Sequence, residues 1–386
     1  MVVRDTSDGE AERLLRETWA RYVDSELIPA AEAIDENDEF PRDVFRKIAD
    51  MGAYGIRYPK EYGGSNGTTT MFCIMCEELA RGSMSVAAIT AMQCLMGTNF
   101  VFAHGTDEHK ENLLIPAIRG EKIAAFALTE PDAGTDLMAL STSAKLEGDE
   151  YEINGMKTWI TNAPYADFFT VLCQTDKEKG PKGLNFFLIE KDTPGLSISP
   201  KFEKLGTRGT WTSEIAFEDV RVPKENRLGE EGKGLGNLMR ILADIRVMTA
   251  ALSIGLARAA YDASLRYANE RVQFKKPIGK FQAIQMKIAT MATEIEASRL
   301  LTYNATRMID RGEKCMKEAS MAKYFASETA CRAADEATRI FGSYSYSMEY
   351  PIQRFFRDTR FLLFGGGTSE ILQVIIAREL GLGKSK

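Results

Sequence analysis

The run FALTEPDAGTD, residues 126–136, gathers hydroxyls (Thr129, Thr135) and carboxylates (Glu130, Asp132, Asp136) around the turn residues Pro131 and Gly134. Such a loop suits the polar edge of a ligand, through its hydroxyls and a closely approaching backbone. A plain turn between two domains uses the same residue types. Trp159, Ile160 and Thr161 follow on a strand candidate. The indole there is fit to flank a flat aromatic ligand, and equally fit to pack in a core.

Other chemistries have less support. The only histidines, His104 and His109, share the stretch HGTDEH, which reads as a solvated loop and argues against a Ser–His–Asp triad. No GxGxxG follows a strand and no GxxxxGK[ST] occurs, so neither a Rossmann unit nor a P-loop is expected. The glycines from Gly229 to Gly236 read as a loop opening a helix. Cys73 and Cys76 are close, but no second pair or His cluster accompanies them. They read as buried structural thiols rather than zinc ligands, and the six dispersed cysteines fit a reducing compartment.

The elements that must position these residues follow from periodicity. Apolar residues recur at helical spacing from about Glu10 to Gly120, for example Leu14, Leu15, Trp19, Tyr22 and Val23, with a break at Pro59 and Gly63–Gly64. A helix over 68–81 ends at Gly82. From Lys122 to about Leu228 short β-rich runs take over, with Phe168–Gln174, Leu184–Glu190 and Glu214–Val222 as strands and Asn154–Gly155 as the strongest hairpin turn signal. This pattern predicts a small antiparallel barrel or sandwich. Helical periodicity returns near Gly232 and includes the stripe Ile284, Ile288, Met291, Ile295, which predicts an antiparallel bundle. The length of 386 residues fits two or three domains. With 44% hydrophobic and 27% charged residues the chain is an ordinary globular one, and its net charge of −6 disfavours nucleic acid as a partner. The start carries no apolar signal core and no stretch is expected to reach bilayer length, so the expected location is cytoplasmic.

Several motifs together resemble the acyl-CoA dehydrogenase family: FALTEPDAGTD, YPKEYGG, NGMKTWITN, KLGTRG, RVQFKKPIGKFQAIQ, EYPIQRFFRD and GGGTSEI, in family order across nearly the whole chain. The resemblance implies an α+β, mainly α fold: an N-terminal helical domain (1–121), a middle antiparallel β domain (122–230) and a C-terminal four-helix bundle (231–386). It implies FAD, an acyl-CoA thioester, a homotetramer in which a neighbouring subunit completes the flavin site, and an electron-transferring flavoprotein as partner. The flavin contacts it implies are Phe126, Leu128, Thr129, Gly134 and Thr135, then Trp159 and Thr161, then Arg271 at the pyrophosphate with Gln273, Phe274 and Gln282, then Arg339, Gly342 and Ser343, and finally Thr368 and Glu370. Thr135 is also expected at the thioester. The segment Arg339, Gly342, Ser343, Ser345 departs from the family's usual QxxGGxG and looks closer to the glutaryl-CoA and cyclohexene-carboxyl-CoA dehydrogenase branch.

The resemblance also exposes a gap. The family's base, a glutamate before Gly-Thr of the last motif, corresponds here to Gly366; its alternative place, before the Arg of the first bundle helix, is Ile245, before Arg246. Asp244 is one step away and expected to face elsewhere, in a structural role. Asp244, Arg246, Gly366 and Thr135 are the expected substrate-side residues. Three readings follow. The first is a dehydrogenase of an alicyclic thioester such as cyclohex-1-ene-1-carboxyl-CoA, acting by 1,4-elimination from the region of Ala91, where Thr90–Cys94 holds no carboxylate. The second is an enoyl-CoA reductase of the crotonobetainyl-CoA type, with Tyr346, Gln93 or water as proton donor. The third is a catalytically silent acyl-CoA-binding flavoprotein. The apolar Ile89, Ala91, Met92, Leu95 and Met96, with no arginine between Gly82 and Gly105, favour an apolar acyl group over a glutaryl one. A Gly366→Glu exchange is expected to raise ordinary α,β-dehydrogenation.

Overall fold

The computed structural model describes residues 9–383. Helices Glu10–Tyr22, Ile28–Asn37, Arg42–Asp50, Thr69–Gly82 and Met84–Ala91 dominate the first part. The Thr69–Gly82 helix begins where the Thr68 hydroxyl accepts from the Met71 N–H at 3.1 Å, an N-cap that satisfies an otherwise orphaned donor. Eight strands follow: β1 Ala124–Ala127, β2 Ser143–Glu147, β3 Glu150–Thr161, β4 Phe168–Gln174, β5 Leu184–Glu190, β6 Leu196–Ile198, β7 Thr212–Pro223 and β8 Arg227–Leu228. Three long helices, Gly234–Glu270, Gln282–Asp310 and Met316–Phe341, then form the bundle, with Ile352–Thr359 and Ser369–Glu379 packed against them.

The β layer is mostly antiparallel, but β1 joins β4 in parallel, from Ala124 opposite Phe168 to Ala127 opposite Val171. The intervening β2–β3 hairpin supplies the long return that a parallel pair requires. Strands β1, β4 and β5 are apolar on both sides for a reason. Phe126, Phe168, Leu172, Phe186 and Leu188 face the core shared with the helices, whereas Ala127, Phe169, Val171, Phe187 and Ile189 fill a second core within the β layer. The period-two alternation thus buries both faces.

Three expectations need correction. The hairpin turn lies at Gly148–Asp149, where Glu147 pairs with Glu150, rather than at Asn154–Gly155. Asn154–Gly155 sits inside β3 at a register shift; Gly155 has φ +144°, and a Cβ there would come within 2.6 Å of the Thr142 Cα. The glycine serves a close backbone approach, and the Asn154 amide is occupied with Asp219. The second concerns bilayer length: Met84–His104 is long and apolar enough by composition, but 67% of its apolar window is buried inside the protein, as in a core segment. His104 and His109 lie in short helices rather than a loop, and Thr106 and His109 form a reciprocal cap.

The helical parts are joined by a buried ionic cluster. Glu77 and Glu78 are both fully buried on an otherwise apolar helix. Arg258 Nη1 lies 2.6 Å from a carboxylate oxygen of each, Arg299 reaches Glu77 at 2.6 Å, Arg16 reaches both at 3.3 and 3.4 Å, and Arg81 reaches Glu78 at 3.0 Å. The Tyr303 hydroxyl donates to Glu77. Burial would push the Glu77 carboxyl up, but Arg299, Arg16 and Arg258 outweigh it and hold it far below the usual range. Removing one charge from such a cluster leaves the others unbalanced. Glu77→Gln is therefore expected to lower stability by about 3 kcal/mol or more in chemical denaturation at neutral pH. Because the folded-state pKa is depressed, the difference from wild type should persist at neutral pH and shrink only below roughly pH 4, as the unfolded carboxyl becomes protonated.

Candidate active site

Strand β1 delivers the chain into the loop that starts at Leu128. The loop is held from beneath by Glu130, which is buried and pairs with the buried Lys157 of β3 at 2.8 Å. Glu130 also accepts from the backbone N–H groups of Ser141 (2.7 Å) and Thr142 (2.9 Å) and from the Ser141 hydroxyl (2.8 Å). Lys157 donates to the Leu128 carbonyl at 3.2 Å. Burial would raise the Glu130 pKa; Lys157 and the Ser141 and Thr142 donors hold it at about 2 instead. Glu130 is thus a strut, and its partner lies too far along the chain to be read from the loop's own sequence. The Thr129 carbonyl accepts from the Thr158 N–H at 2.9 Å, so the loop is laid along β3. Gly134, Thr135 and Asp136 are left exposed on the surface of this arrangement.

Beside them, β3 bulges. The β3–β7 register shifts between Lys157 and Ile160, and Trp159 in the bulge has φ +59° and is 62% exposed, its ring centroid 4.7 Å from that of Phe202. A positive φ at a bulky residue is strained and is kept only where surrounding structure enforces it. Thr161 continues the strand opposite Thr212. The Phe126 ring is turned away into the helical core against Phe100 and Phe186, so only its backbone remains for a ligand. Leu128 is half-buried.

At the other end of the bundle Arg271 leads into a tight ribbon, Val272–Gln273 paired with Lys276–Pro277, whose turn residues Phe274 and Lys275 have φ of +50° and +64°. Phe274 is 87% exposed. The Arg271 guanidinium lies 5.6 Å from the ring centre of Tyr344, which brings the ribbon to the Gly342–Tyr346 turn containing Ser343. Gln282 opens the next helix and is exposed. Arg339 is engaged with Asp335 along its own helix at 2.8 Å. Thr368 caps the Ser369–Glu379 helix by accepting from the Ile371 N–H, and Glu370 stands exposed in its first turn.

The two positions at which the resemblance would place a base, Gly366 and Ile245, converge. A Cβ built on Gly366 would stand 3.5 Å from the Ile245 Cγ2 and 2.9 Å from the Thr249 Oγ1. Neither residue carries a carboxyl group. Asp244 is paired instead with Arg57 at 2.5 Å; burial raises its pKa, with Arg57 opposing. The Gly365–Gly367 turn is held by Lys323, whose ammonium donates to the carbonyls of Gly367 (2.6 Å) and Leu363 (3.3 Å). Lys323, Lys157 and Arg57 bond to groups far away in the chain, so their own sequence neighbourhoods carry no signal of these roles. The expected gain from Gly366→Glu must also be corrected. Gly366 has φ +72°, which disfavours any side chain by about 1–2 kcal/mol, and Thr249 crowds the Cβ. Gln93 cannot serve as a free proton donor: its amide nitrogen donates to the carbonyls of Ala117 and Lys122, and its oxygen accepts from the Ala124 N–H. Ala91 is buried on a helix turn without a carboxylate, and Tyr346 is 96% exposed.

Models of the acyl-CoA dehydrogenase N-terminal, middle and C-terminal domains match residues 9–121, 125–220 and 232–381. The chain belongs to the acyl-CoA dehydrogenase family, whose members are FAD-dependent oxidoreductases acting on CH–CH groups. It is similar to benzylmalonyl-CoA dehydrogenase of Aromatoleum aromaticum, at 48% identity over 96% of this chain and 98% of that protein. It is also similar to the caffeyl-CoA reductase-Etf complex subunit CarC of Acetobacterium woodii, at 40% identity over 96% and 98%. The structure of a glutaryl-coenzyme A dehydrogenase glutaryl-CoA complex superposes with a TM-score of 0.94 at 37% identity, covering 98% of this chain and 97% of that one. The residues present suit FAD: an exposed indole on a strained bulge beside a hydroxyl-bearing loop, and a guanidinium, Arg271, that no carboxylate pairs with among the described residues.

Lys157→Met would leave Glu130 charged, buried and without its counterion, and so release the loop it holds. The variant is expected to purify with less flavin per subunit, read from the ratio of 450 nm to 280 nm absorbance, and with a lowered Tm. A wild-type flavin content at wild-type Tm would remove the strut from the account.

Proposed function

We propose that this chain dehydrogenates a 2-carboxyacyl-CoA thioester of the benzylmalonyl kind, with loss of CO2 taking the place of proton abstraction. The observation that carries the reading is the convergence of Gly366 and Ile245 on one point with no carboxyl group at either. Ordinary dehydrogenation needs a base there, because the proton beside a thioester is only weakly acidic. A malonyl-type thioester needs none. Its carboxylate leaves as CO2, the pair of the broken bond remains on the α-carbon, and a hydride departs from the β-carbon. The product is the 2-enoyl thioester, and no proton is taken up or released. FAD supplies the hydride acceptor when bound.

The residues of this chain orient and enclose. Thr129, Gly134 and Thr135 with Trp159 and Thr161 would border the flavin ring, and Arg271, Gln273, Phe274, Gln282, Gly342, Ser343, Thr368 and Glu370 its distant half, in part from neighbouring subunits. Ile245 and the apolar Met84–Met96 segment would pack the acyl chain. The large exposures of Phe274, Tyr346 and Trp159 support burial in a homotetramer. An electron-transferring flavoprotein is the proposed redox partner, supported by the Etf-complex relative. Six free, buried cysteines support a reducing, cytoplasmic setting.

The alicyclic reading has less support, because the helix around Ala91 offers no acid or base. Reduction of an arylacryloyl-CoA is the second reading, favoured by the caffeyl-CoA reductase relative. Anaerobic titration of the holoenzyme decides. Benzylmalonyl-CoA should bleach the flavin with one CO2 released per flavin, whereas 3-phenylpropanoyl-CoA and cyclohex-1-ene-1-carboxyl-CoA leave it oxidised. Bleaching by 3-phenylpropanoyl-CoA or the cyclic thioester, or reoxidation of the reduced enzyme by cinnamoyl-CoA without any benzylmalonyl-CoA turnover, would overturn the reading. Ile245→Glu should gain bleaching by 3-phenylpropanoyl-CoA, since the position is buried, has regular helical backbone and meets Gly366.

A further inference from the structure

Arg16, Arg258 and Arg299 are matched to the Glu77–Glu78 pair, and the largely buried Arg57 to Asp244. Arg246 is the contrast. It is 4% exposed, its Nη1 donates to the Ser320 hydroxyl at 3.0 Å and contacts the Met316 sulfur, and its Nε has no hydrogen-bond partner. No carboxylate lies within ion-pair distance among the described residues. Burial alone pulls its pKa down to about 10. Lys323, fully buried and one turn beyond Ser320, likewise has only carbonyl partners; burial, with Glu328 opposing and Arg246 adding to it, pulls it to about 8. Two cations in a desolvated interior with no carboxylate in ion-pair contact are costly unless an anion joins them.

Their place is informative. Arg246 follows Ile245 and precedes Thr249 by one helical turn, and those two residues face Gly366. Lys323 holds the carbonyls on either side of Gly366. Lys323 thus stands at the Gly365–Gly367 turn, and Arg246 reaches the same helix one turn earlier through Ser320. We propose that Arg246, backed by Lys323, receives the free carboxylate of the substrate, an α-carboxylate on a CoA thioester. This rests on the functional reading above. The guanidinium fork suits a carboxylate, and the unpartnered Nε is a donor already stripped of water. Once CO2 has left, the enoyl product has no anion to offer, so its affinity falls and release follows.

The test separates binding from turnover by using an anion that cannot lose CO2. Kd values of the FAD holoenzyme are measured from the flavin absorbance change for 2-sulfo-3-phenylpropanoyl-CoA and for 3-phenylpropanoyl-CoA. Wild type should prefer the sulfonate by about thirtyfold or more, the span of a charged hydrogen bond. Arg246→Gln should reduce that preference below about threefold while leaving the neutral ligand nearly unchanged, and Arg246→Lys should keep part of it. A wild-type preference within about threefold overturns the proposal, and this arm needs no variant to fold. A flavin-loaded Arg246→Gln that keeps the preference overturns it too. If wild type selects the sulfonate through Arg246 yet releases no CO2 from benzylmalonyl-CoA, the site stands and the functional reading falls. If CO2 is released while Arg246→Gln keeps the preference, the reading stands and the site falls.

Discussion

Two adjacent carboxylates on an apolar helix set the geometry of everything downstream. Glu77 and Glu78 can be buried only because Arg16, Arg258 and Arg299 arrive from three other helices. Ion pairing of this kind adds little net stability over apolar packing, but it tolerates few alternatives, since every shifted register strands a charge. Gly255 enforces the same register sterically, because a Cβ there would fall 2.1 Å from the Glu77 carbonyl oxygen. The first bundle helix is therefore pinned at Gly255 and Arg258. Ile245 and Arg246 lie on that same rigid rod, roughly 15–20 Å along it at 1.5 Å per residue. The position of the chemistry is inherited from a contact that takes no part in it.

The middle layer solves a related problem with a different device. A ligand-facing loop has to be polar and exposed yet fixed. Glu130 and Lys157 achieve this by being wholly buried beneath it, with the carboxylate collecting the donors of Ser141 and Thr142. The strain at Trp159 belongs to the same construction: the bulge that turns the indole outward begins next to Lys157, where the strand is anchored. Rigid support beneath and strain at the surface together allow an aromatic side chain to stand exposed at a fixed place.

Much of this was legible from local pattern and some was not. Strands 168–174 and 184–190 coincide with β4 and β5 because both faces are buried, which makes them unbroken apolar runs bounded by turn residues. Asn154–Gly155 misled for a physical reason: a glycine needed for close approach to Thr142 carries the same letters as one needed for a turn, and only the pairing of distant strands separates them. The family motifs located Gly366 and Ile245 separately, but their meeting is a property of packing between the last loop and the first bundle helix. Gln93, Lys157 and Lys323 make their decisive bonds to carbonyls or carboxylates more than twenty residues away, so no window of sequence contains both halves of the interaction.

The electrostatics around Gly366 explain why a missing carboxylate need not mean a missing reaction. A buried glutamate at this point would have done two things: accept a proton, and balance the positive charge of Arg246 and Lys323. Replacing it by glycine removes both functions together. A neutral acyl thioester restores neither, and it would meet an interior that holds cations and lacks a base. A 2-carboxyacyl thioester restores both. On the proposed reading its carboxylate would neutralise the cations on binding, and its departure as CO2 would deliver the carbanion that a glutamate base generates. A glycine at 366 with a carboxylate on the substrate would thus place the negative charge on the substrate rather than the protein, and a substrate without that charge would be the poorer fit to the cations there.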